Sequence, residues 1–160
     1  MGRRYDTARF AGSTALLREH FPGCALTADL ICGFPGETEA DMEETLAFIR
    51  SVGFAGMHVF PYSPRPGTPA ASMPGQLSRA VKEDRARRAQ KAAAEMRREY
   101  LSAQVGRTLP VLFETAEGEA LWQGHSDNYC LVLAAGGGHG IMKNVKILSS
   151  DGEKLMGNIV

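Results

Sequence analysis

The hydrophobic period of this 160-residue chain changes once, near Val105-Gly106, and that change limits it to two kinds of structure in succession. Before it, segments of helical and strand period alternate. After it, every apolar segment is of strand length and is followed by a turn signal. Residues 6–20 read as a helix with Asp6 as N-cap and Ala8, Ala11, Ala15 and Leu16 as its apolar stripe. Phe21-Pro22-Gly23 ends it. Residues 25–32 are of strand length and almost wholly apolar, as expected of a parallel strand covered on both faces. Gly33-Phe34-Pro35-Gly36 is a tight turn, and Thr38 with Asp41 three residues later predicts a capping box. The helix behind it carries Met42, Thr45, Leu46, Ile49 and Val52 on one face, its first turns are crowded with acids that the helix dipole favours, and Gly53 stops it. Met57–Phe60 reads as a second strand.

Four prolines between Pro61 and Pro69 exclude a helix or an interior strand there. The stretch is either a rigid connector or a binding loop at a strand's C-terminal end, where α/β barrels place their sites. Residues 78–103 predict a long helix rich in Ala, Arg, Lys and Glu, with Ser78 as its cap. Strands are expected at 109–114, 119–124, 129–133, 145–148 and 155–160, separated by glycine-rich turns, and five short strands of this kind read as a small β-barrel whose closure removes its edges. The organisation expected is therefore an α/β part over residues 1–105 and an all-β part over 106–160. The alternation begins with a helix that no strand precedes, and two parallel strands cannot cover both their own faces. Upstream strands are thus expected outside this chain.

The net charge of zero hides an uneven distribution. Residues 78–105 hold eight basic and four acidic side chains, a solvated face or an RNA-facing one, whereas residues 106–160 hold four basic and six acidic. No apolar run approaches the ~20 residues of a membrane span, and the N-terminus has basic residues but no apolar core of a signal peptide. Cys24, Cys32 and Cys130 are too few and too dispersed for a disulfide framework, which fits a reducing cytoplasm; no cysteine or histidine spacing suits a metal, and buried thiols are the plain reading of all three.

Several segments in order resemble one family. Met1-Gly2-Arg3-Arg4-Tyr5 is similar to the M-x-R-x-Y sequence after the fourth barrel strand of radical-SAM methylthiotransferases. Residues 29–38, Asp-Leu-Ile-Cys-Gly-Phe-Pro-Gly-Glu-Thr, match the family's strand-five motif, and residues 58–68, His-Val-Phe-Pro-Tyr-Ser-Pro-Arg-Pro-Gly-Thr, its strand-six sequence. Gly124, Asn128 and Tyr129 sit as in its C-terminal TRAM domain, a small β-barrel. The subtype acting on threonylcarbamoyladenosine beside the tRNA anticodon resembles this chain most; the isopentenyladenosine subtype shares the proline-rich motif, and a ribosomal-protein subtype shares the architecture.

The resemblance implies a partial (βα) radical-SAM barrel, a long helix and a TRAM-like barrel. It implies an enzyme that uses S-adenosylmethionine and two 4Fe–4S clusters to place a methylthio group on C2 of an adenine in the tRNA anticodon stem-loop. It also implies that the cluster cysteines belong to an N-terminal half not contained here. This chain alone is therefore expected to be inactive, with no catalytic residue and no metal ligand of its own, the missing half being a partner; a standalone RNA-binding module is the alternative. By resemblance, Ile31, Gly33, Gly36, Phe60 and Tyr62 would line the cofactor, and Arg3 would meet its carboxylate. Each has a plain structural reading beside this: core for Ile31, turn geometry for the glycines, a surface arginine for Arg3. Arg65, Arg107, Lys143 and Lys146 are the candidates for RNA phosphate. Trp122 and Tyr129 are either stacking faces or, as large aromatics usually are, core.

Overall fold

Thr38 opens the best-specified helix of the chain, α2 (Glu39–Val52). Its hydroxyl accepts the Asp41 N–H at 3.1 Å, and the Asp41 carboxylate accepts the Thr38 N–H at 2.8 Å, so the expected capping box forms. Gly53, at φ 67°, closes the other end. The computed structural model describes residues 4–160. By contacts they divide into two units, the chain up to Ala15 with Leu26–Met96, and Leu16–Ala25 with Arg97–Val160.

In the first unit, β1 (Thr27–Cys32) and β2 (Gly56–Pro61) pair in parallel, Asp29 opposite His58 and Ile31 opposite Phe60. One face carries Ala28, Leu30, Cys32, Met57 and Val59. It packs into a cluster with Met42, Leu46 and Ile49 of α2 and with Ala86, Ala89, Ala92 and Met96 of α3 (Arg79–Ser102). The other face, with Thr27, Asp29, Ile31, His58 and Phe60, is exposed. The expectation of a strand covered on both faces is therefore corrected. Every helix that packs on the sheet joins the same cluster, so strand β1 alternates buried and open despite its apolar composition.

Helix α1 (Thr7–His20) starts at Asp6, whose carboxylate accepts the Arg9 N–H at 2.8 Å. Its contact face shares only Ala11 with the stripe read from the sequence: Ala8, Ala15 and Leu16 are exposed, whereas Phe10, Ala11 and Thr14 are covered. One aromatic ring outweighs several methyl groups in apolar area, and Phe10 sits 5.9 Å from the Phe48 ring and 6.1 Å from that of Phe54. The proline-rich loop contains an unforeseen turn of 3-10 helix, Pro69–Ser72. Gln76 fastens it by donating to the carbonyls of Ala70 at 2.9 Å and Met73 at 3.1 Å.

The second unit contains a closed barrel in the order β3-β4-β5-β7-β6. Its strands are β3 (Thr108–Glu117), β4 (Leu121–Ser126), β5 (Leu131–Ala135), β6 (Met142–Ser150) and β7 (Leu155–Ile159). All five expected strands exist, but the second and third are displaced toward the C-terminus. Tyr129, read as the first residue of a strand, has φ 62° and belongs to the turn instead. Alternate residues Leu109, Val111 and Phe113 of β3 meet Val132, Val145, Ile147 and Leu155 inside the barrel. Leu101, from the last turns of α3, joins the same cluster. No helix among the described residues is long and apolar enough to cross a membrane.

Gly124 lies where β4 crosses the bulge of β3 between Phe113 and Thr115, and a Cβ there would stand 2.1 Å from the Leu112 carbonyl oxygen. Gly124→Ala is expected to destabilise the protein by about 1–3 kcal/mol, the cost of overpacking. Gly12→Ala, in α1 with nothing within 4 Å of the added carbon, is expected to stabilise by roughly 0.5–1 kcal/mol. Urea unfolding curves of the two variants should move in opposite directions.

Candidate functional site

The C-terminal ends of β1 and β2 are held by a short chain of strong contacts. The Glu37 carboxylate accepts the Gly33 N–H with both oxygens, at 2.9 and 3.1 Å. Arg85 of α3 reaches back to the same residue, donating to the Glu37 carboxylate at 2.7 Å and to its carbonyl at 2.9 Å. Arg85 is only 5% exposed, so this is a charge-assisted link inside the protein. Its other terminal nitrogen lies 3.4 Å from Glu39, and one turn on, Arg88 binds Glu39 at 2.6 Å and also Glu43. These arginines thus face the acidic start of α2, which holds the Glu39 carboxyl below the usual carboxylate range, chiefly through Arg88. The basic excess of the long helix is, at Arg85 and Arg88, neither a purely solvated face nor one turned to RNA.

The turn thus fixed holds both of its glycines at positive φ. Gly33 has φ 77°, and a Cβ there would meet Lys82 Cγ at 2.4 Å, so its lack of a side chain lets α3 approach. Gly36 has φ 81°, donates to the Gly75 carbonyl at 2.9 Å and has open space where its Cβ would be. Ile31 and Phe60 stand side by side on the open face, 38% and 52% exposed, so the core reading of Ile31 is not what forms. With Pro61, Tyr62, Ser63 and Arg65 they line a cavity of about 330 Å³. Tyr62 donates its N–H to the Cys32 carbonyl at 2.7 Å, and its ring meets Phe34 edge-on at 5.3 Å. The Tyr62 hydroxyl is buried and has no hydrogen-bond partner among the described residues. An unpaired buried hydroxyl is costly, which marks it as a group waiting for an acceptor or donor.

Four of the expected residues (Ile31, Phe60, Tyr62 and Arg65) therefore share one cavity, with Gly33 and Gly36 on the neighbouring turn. Arg3 lies outside the described residues. The remaining candidates belong to the second unit and do not form one patch. Lys143 and Lys146 are three residues apart on β6, so their side chains leave opposite faces of the strand. The Lys146 ammonium donates to the Gly106 carbonyl at 2.5 Å, and Arg107 to Gln104 Oε1 at 2.6 Å. Trp122 packs against the barrel core, whereas Tyr129 is 81% exposed, which overturns its reading as core. Sequence reasoning missed Arg85. The signal was present: Arg85 stands at helical spacing from Ala89, Ala92 and Met96 and so falls on the buried stripe of α3.

Among the described residues no three His, Cys, Asp or Glu side chains come together as a metal site. Cys32 is buried, and its thiol pKa is pushed up to about 11, first by burial and then by the Glu37 charge. Burial also raises the Cys130 thiol.

No family model matches the chain. It is 39% identical over 151 residues to the threonylcarbamoyladenosine tRNA methylthiotransferase MtaB of Bacillus subtilis (strain 168), an alignment covering 92% of this chain and 34% of the relative. It is 48% identical over 115 residues to a tRNA-2-methylthio-N(6)-dimethylallyladenosine synthase of Oleidesulfovibrio alaskensis, covering 72% of this chain and 25% of the relative. A synthase of the same description from Sorangium cellulosum (strain So ce56) is 39% identical over 146 residues, 86% of this chain and 29% of the relative. The chain spans about a third of the length of the curated relatives it matches, or less.

Two measurements probe this geometry. Arg85→Ala would leave Glu37 charged and unpaired in the interior, and is expected to cost about 3–5 kcal/mol in chemical denaturation. At pH 8 a thiol of pKa about 11 is thiolate in roughly one molecule per thousand, and only the thiolate is alkylated. Brief iodoacetamide treatment of the native protein should therefore modify Cys24 and leave Cys32 and Cys130 unmodified by peptide mass analysis; rapid labelling of Cys32 would contradict its buried, protonated state.

Proposed function

This chain is homologous to the C-terminal region of the radical-SAM methylthiotransferases, and we propose that it supplies part of the cofactor site and the RNA-binding barrel of a tRNA methylthiotransferase. The single observation that carries this reading is the strand-end cavity of Ile31, Phe60, Tyr62 and Arg65, whose lining is mostly apolar. In this reading residues 1–105 are the C-terminal part of a (βα) barrel, and residues 106–160 are a TRAM-like barrel.

The 4Fe–4S clusters of the family do not fit the described residues, which bring no ligand set together. S-adenosylmethionine does fit. Ile31 and Phe60 offer two adjacent apolar faces to an adenine, and burying even one side chain of this size is worth roughly 1.5–3 kcal/mol. Tyr62 lines the same cavity, its ring held edge-on against Phe34. Gly36 leaves its turn open to close backbone approach. Arg3, outside the described residues, would meet the cofactor's carboxylate, and Arg65, at the rim of the same cavity, would meet RNA phosphate. Bound there, the cofactor supplies the hydrogen-abstracting chemistry that such enzymes use.

The substrate proposed is N6-threonylcarbamoyladenosine in the tRNA anticodon stem-loop. The support is an alignment with a relative of that description that runs through most of this chain. The dimethylallyladenosine reading is favoured instead by the higher identity, 48%, over a shorter span.

Both are tested by one chimera. The corresponding C-terminal region of the Bacillus subtilis relative is replaced by this chain in cells lacking the native enzyme, and tRNA nucleosides are quantified by mass spectrometry. Restoration of the methylthio form of threonylcarbamoyladenosine is expected. Restoration of only the dimethylallyl form would reassign the substrate, and a soluble, cluster-loaded chimera with neither product would overturn the proposal. In an active chimera, Phe60→Ala is expected to weaken S-adenosylmethionine binding about tenfold, the equivalent of 1.4 kcal/mol.

A further inference from the structure

Tyr129 is held in a conformation that tyrosine avoids. At φ 62° it is the one non-glycine residue with positive φ among the described residues. The left-handed region costs an L-residue with a bulky side chain roughly 1–2 kcal/mol relative to glycine. Yet its ring gives almost nothing back to the fold, since it is 81% exposed and only leans on His125 at 5.4 Å. The turn is made by other atoms. The Ser126 hydroxyl accepts the Cys130 N–H at 3.0 Å, Asn128 Oδ1 accepts from the Ser126 hydroxyl at 2.6 Å, and Asn128 Nδ2 donates to Gln104 Oε1 at 3.1 Å. All of that network would survive a glycine at 129. Strain retained in a side chain that the fold does not use points to a use outside the fold.

What lies beside it identifies the use. Tyr129 borders a cleft of about 570 Å³ in the second unit, lined also by Phe21, Arg107, Asp127, Asn128 and His20. Phe21 is 62% exposed, so the cleft has a second free aromatic face. Arg107 is steadied by Gln104, itself 2% exposed and the acceptor for both Arg107 and Asn128. A bare anion would meet Asp127 as well as Arg107. A nucleotide suits both, because its charge is confined to the phosphate while its base is uncharged and carries donor groups. The volume admits one base and its sugar-phosphate.

We propose that this cleft binds one unpaired nucleotide of an RNA loop, its base stacked on Tyr129 and its phosphate on Arg107. The site rests on the reading of the chain as an RNA-acting protein and adds to it the place and the mode of contact. It takes single-stranded RNA, because a base held in a duplex cannot offer its face to Tyr129.

The test uses the whole 160-residue chain with two RNA probes, a hairpin carrying a seven-nucleotide loop and a blunt duplex of equal length. Fluorescence anisotropy should show tighter binding to the hairpin. Tyr129→Gly and Tyr129→Ala should weaken hairpin binding about tenfold, within the range for loss of one base–aromatic stack, and leave the dependence on salt unchanged. Tyr129→Phe should retain binding. Arg107→Gln should lower the salt slope by about one. Tyr129→Gly should also raise the melting temperature, which separates lost binding from lost folding. Hairpin binding indifferent to Tyr129→Gly, or equal binding of the duplex, would overturn the site and leave the RNA reading standing. Absence of binding to either RNA would overturn both.

Discussion

The buried contact of Arg85 with Glu37 organises the first unit, because it is where two demands on the same turn meet. The turn after β1 must expose strand-end backbone and still have its own amides satisfied. Glu37 satisfies Gly33 with both carboxylate oxygens, but a carboxylate so placed needs a positive partner to remain charged away from water. Arg85 provides it from α3, 48 residues later in the chain. Arginine suits the position better than lysine would, since a planar guanidinium can serve the Glu37 carboxylate, its carbonyl and Glu39 together. The turn conformation is consequently a property of the long helix as much as of its own glycines.

The two units treat sheet edges in opposite ways. In the barrel, β3 pairs with both β4 and β6, and the short parallel contact of β5 with β7 completes the ring. No strand of it is left with an open side. The β1–β2 sheet keeps one face uncovered, with Ile31 and Phe60 adjacent on it. Exposed apolar neighbours at strand ends are poor for solubility and good for binding an aromatic ligand. This asymmetry is the physical support for the cofactor site proposed on the first unit.

Local rules read the elements well wherever a single residue type dictates the geometry. Thr38 with Asp41, Asp6 and Gly53 each acted as their chemistry requires. The alternation of Leu109, Val111 and Phe113 exposed a barrel strand for the same reason. What sequence alone did not yield was set by partners distant in the chain. Whether β1 is covered on one face or two depends on where three helices pack, and composition carries no record of that. Phe10 displaced the expected stripe of α1 because its ring found Phe48 and Phe54. Tyr129 looked like the start of a strand because aromatic residues favour strands, and the Ser126–Asn128 hydrogen bonds that fix its turn span only a few residues but leave no apolar signature. Of the site, Ile31, Phe60 and Tyr62 were named by the family resemblance rather than by composition or spacing, and Arg65, expected to meet RNA phosphate, lines the same cavity with them. The separation of Lys143 from Lys146 followed from strand parity, which a list of charges ignores.

In the proposed reading, that parity bears on how the barrel would hold RNA. Residues 106–160 carry four basic and six acidic side chains, and the lysines on β6 diverge. Counterion release, the usual source of affinity for a polyanion, grows with the number of phosphates neutralised together, and here that number is small. Stacking on an exposed aromatic ring does not depend on net charge and is worth about 1–3 kcal/mol per base. A barrel with few free cations therefore gains more from one well-placed tyrosine than from one more lysine, and it gains selectivity for unpaired bases as well. The strained turn at Tyr129 is consistent with that balance: the ring contributes little to the fold and would contribute most of what this surface can offer to a loop nucleotide.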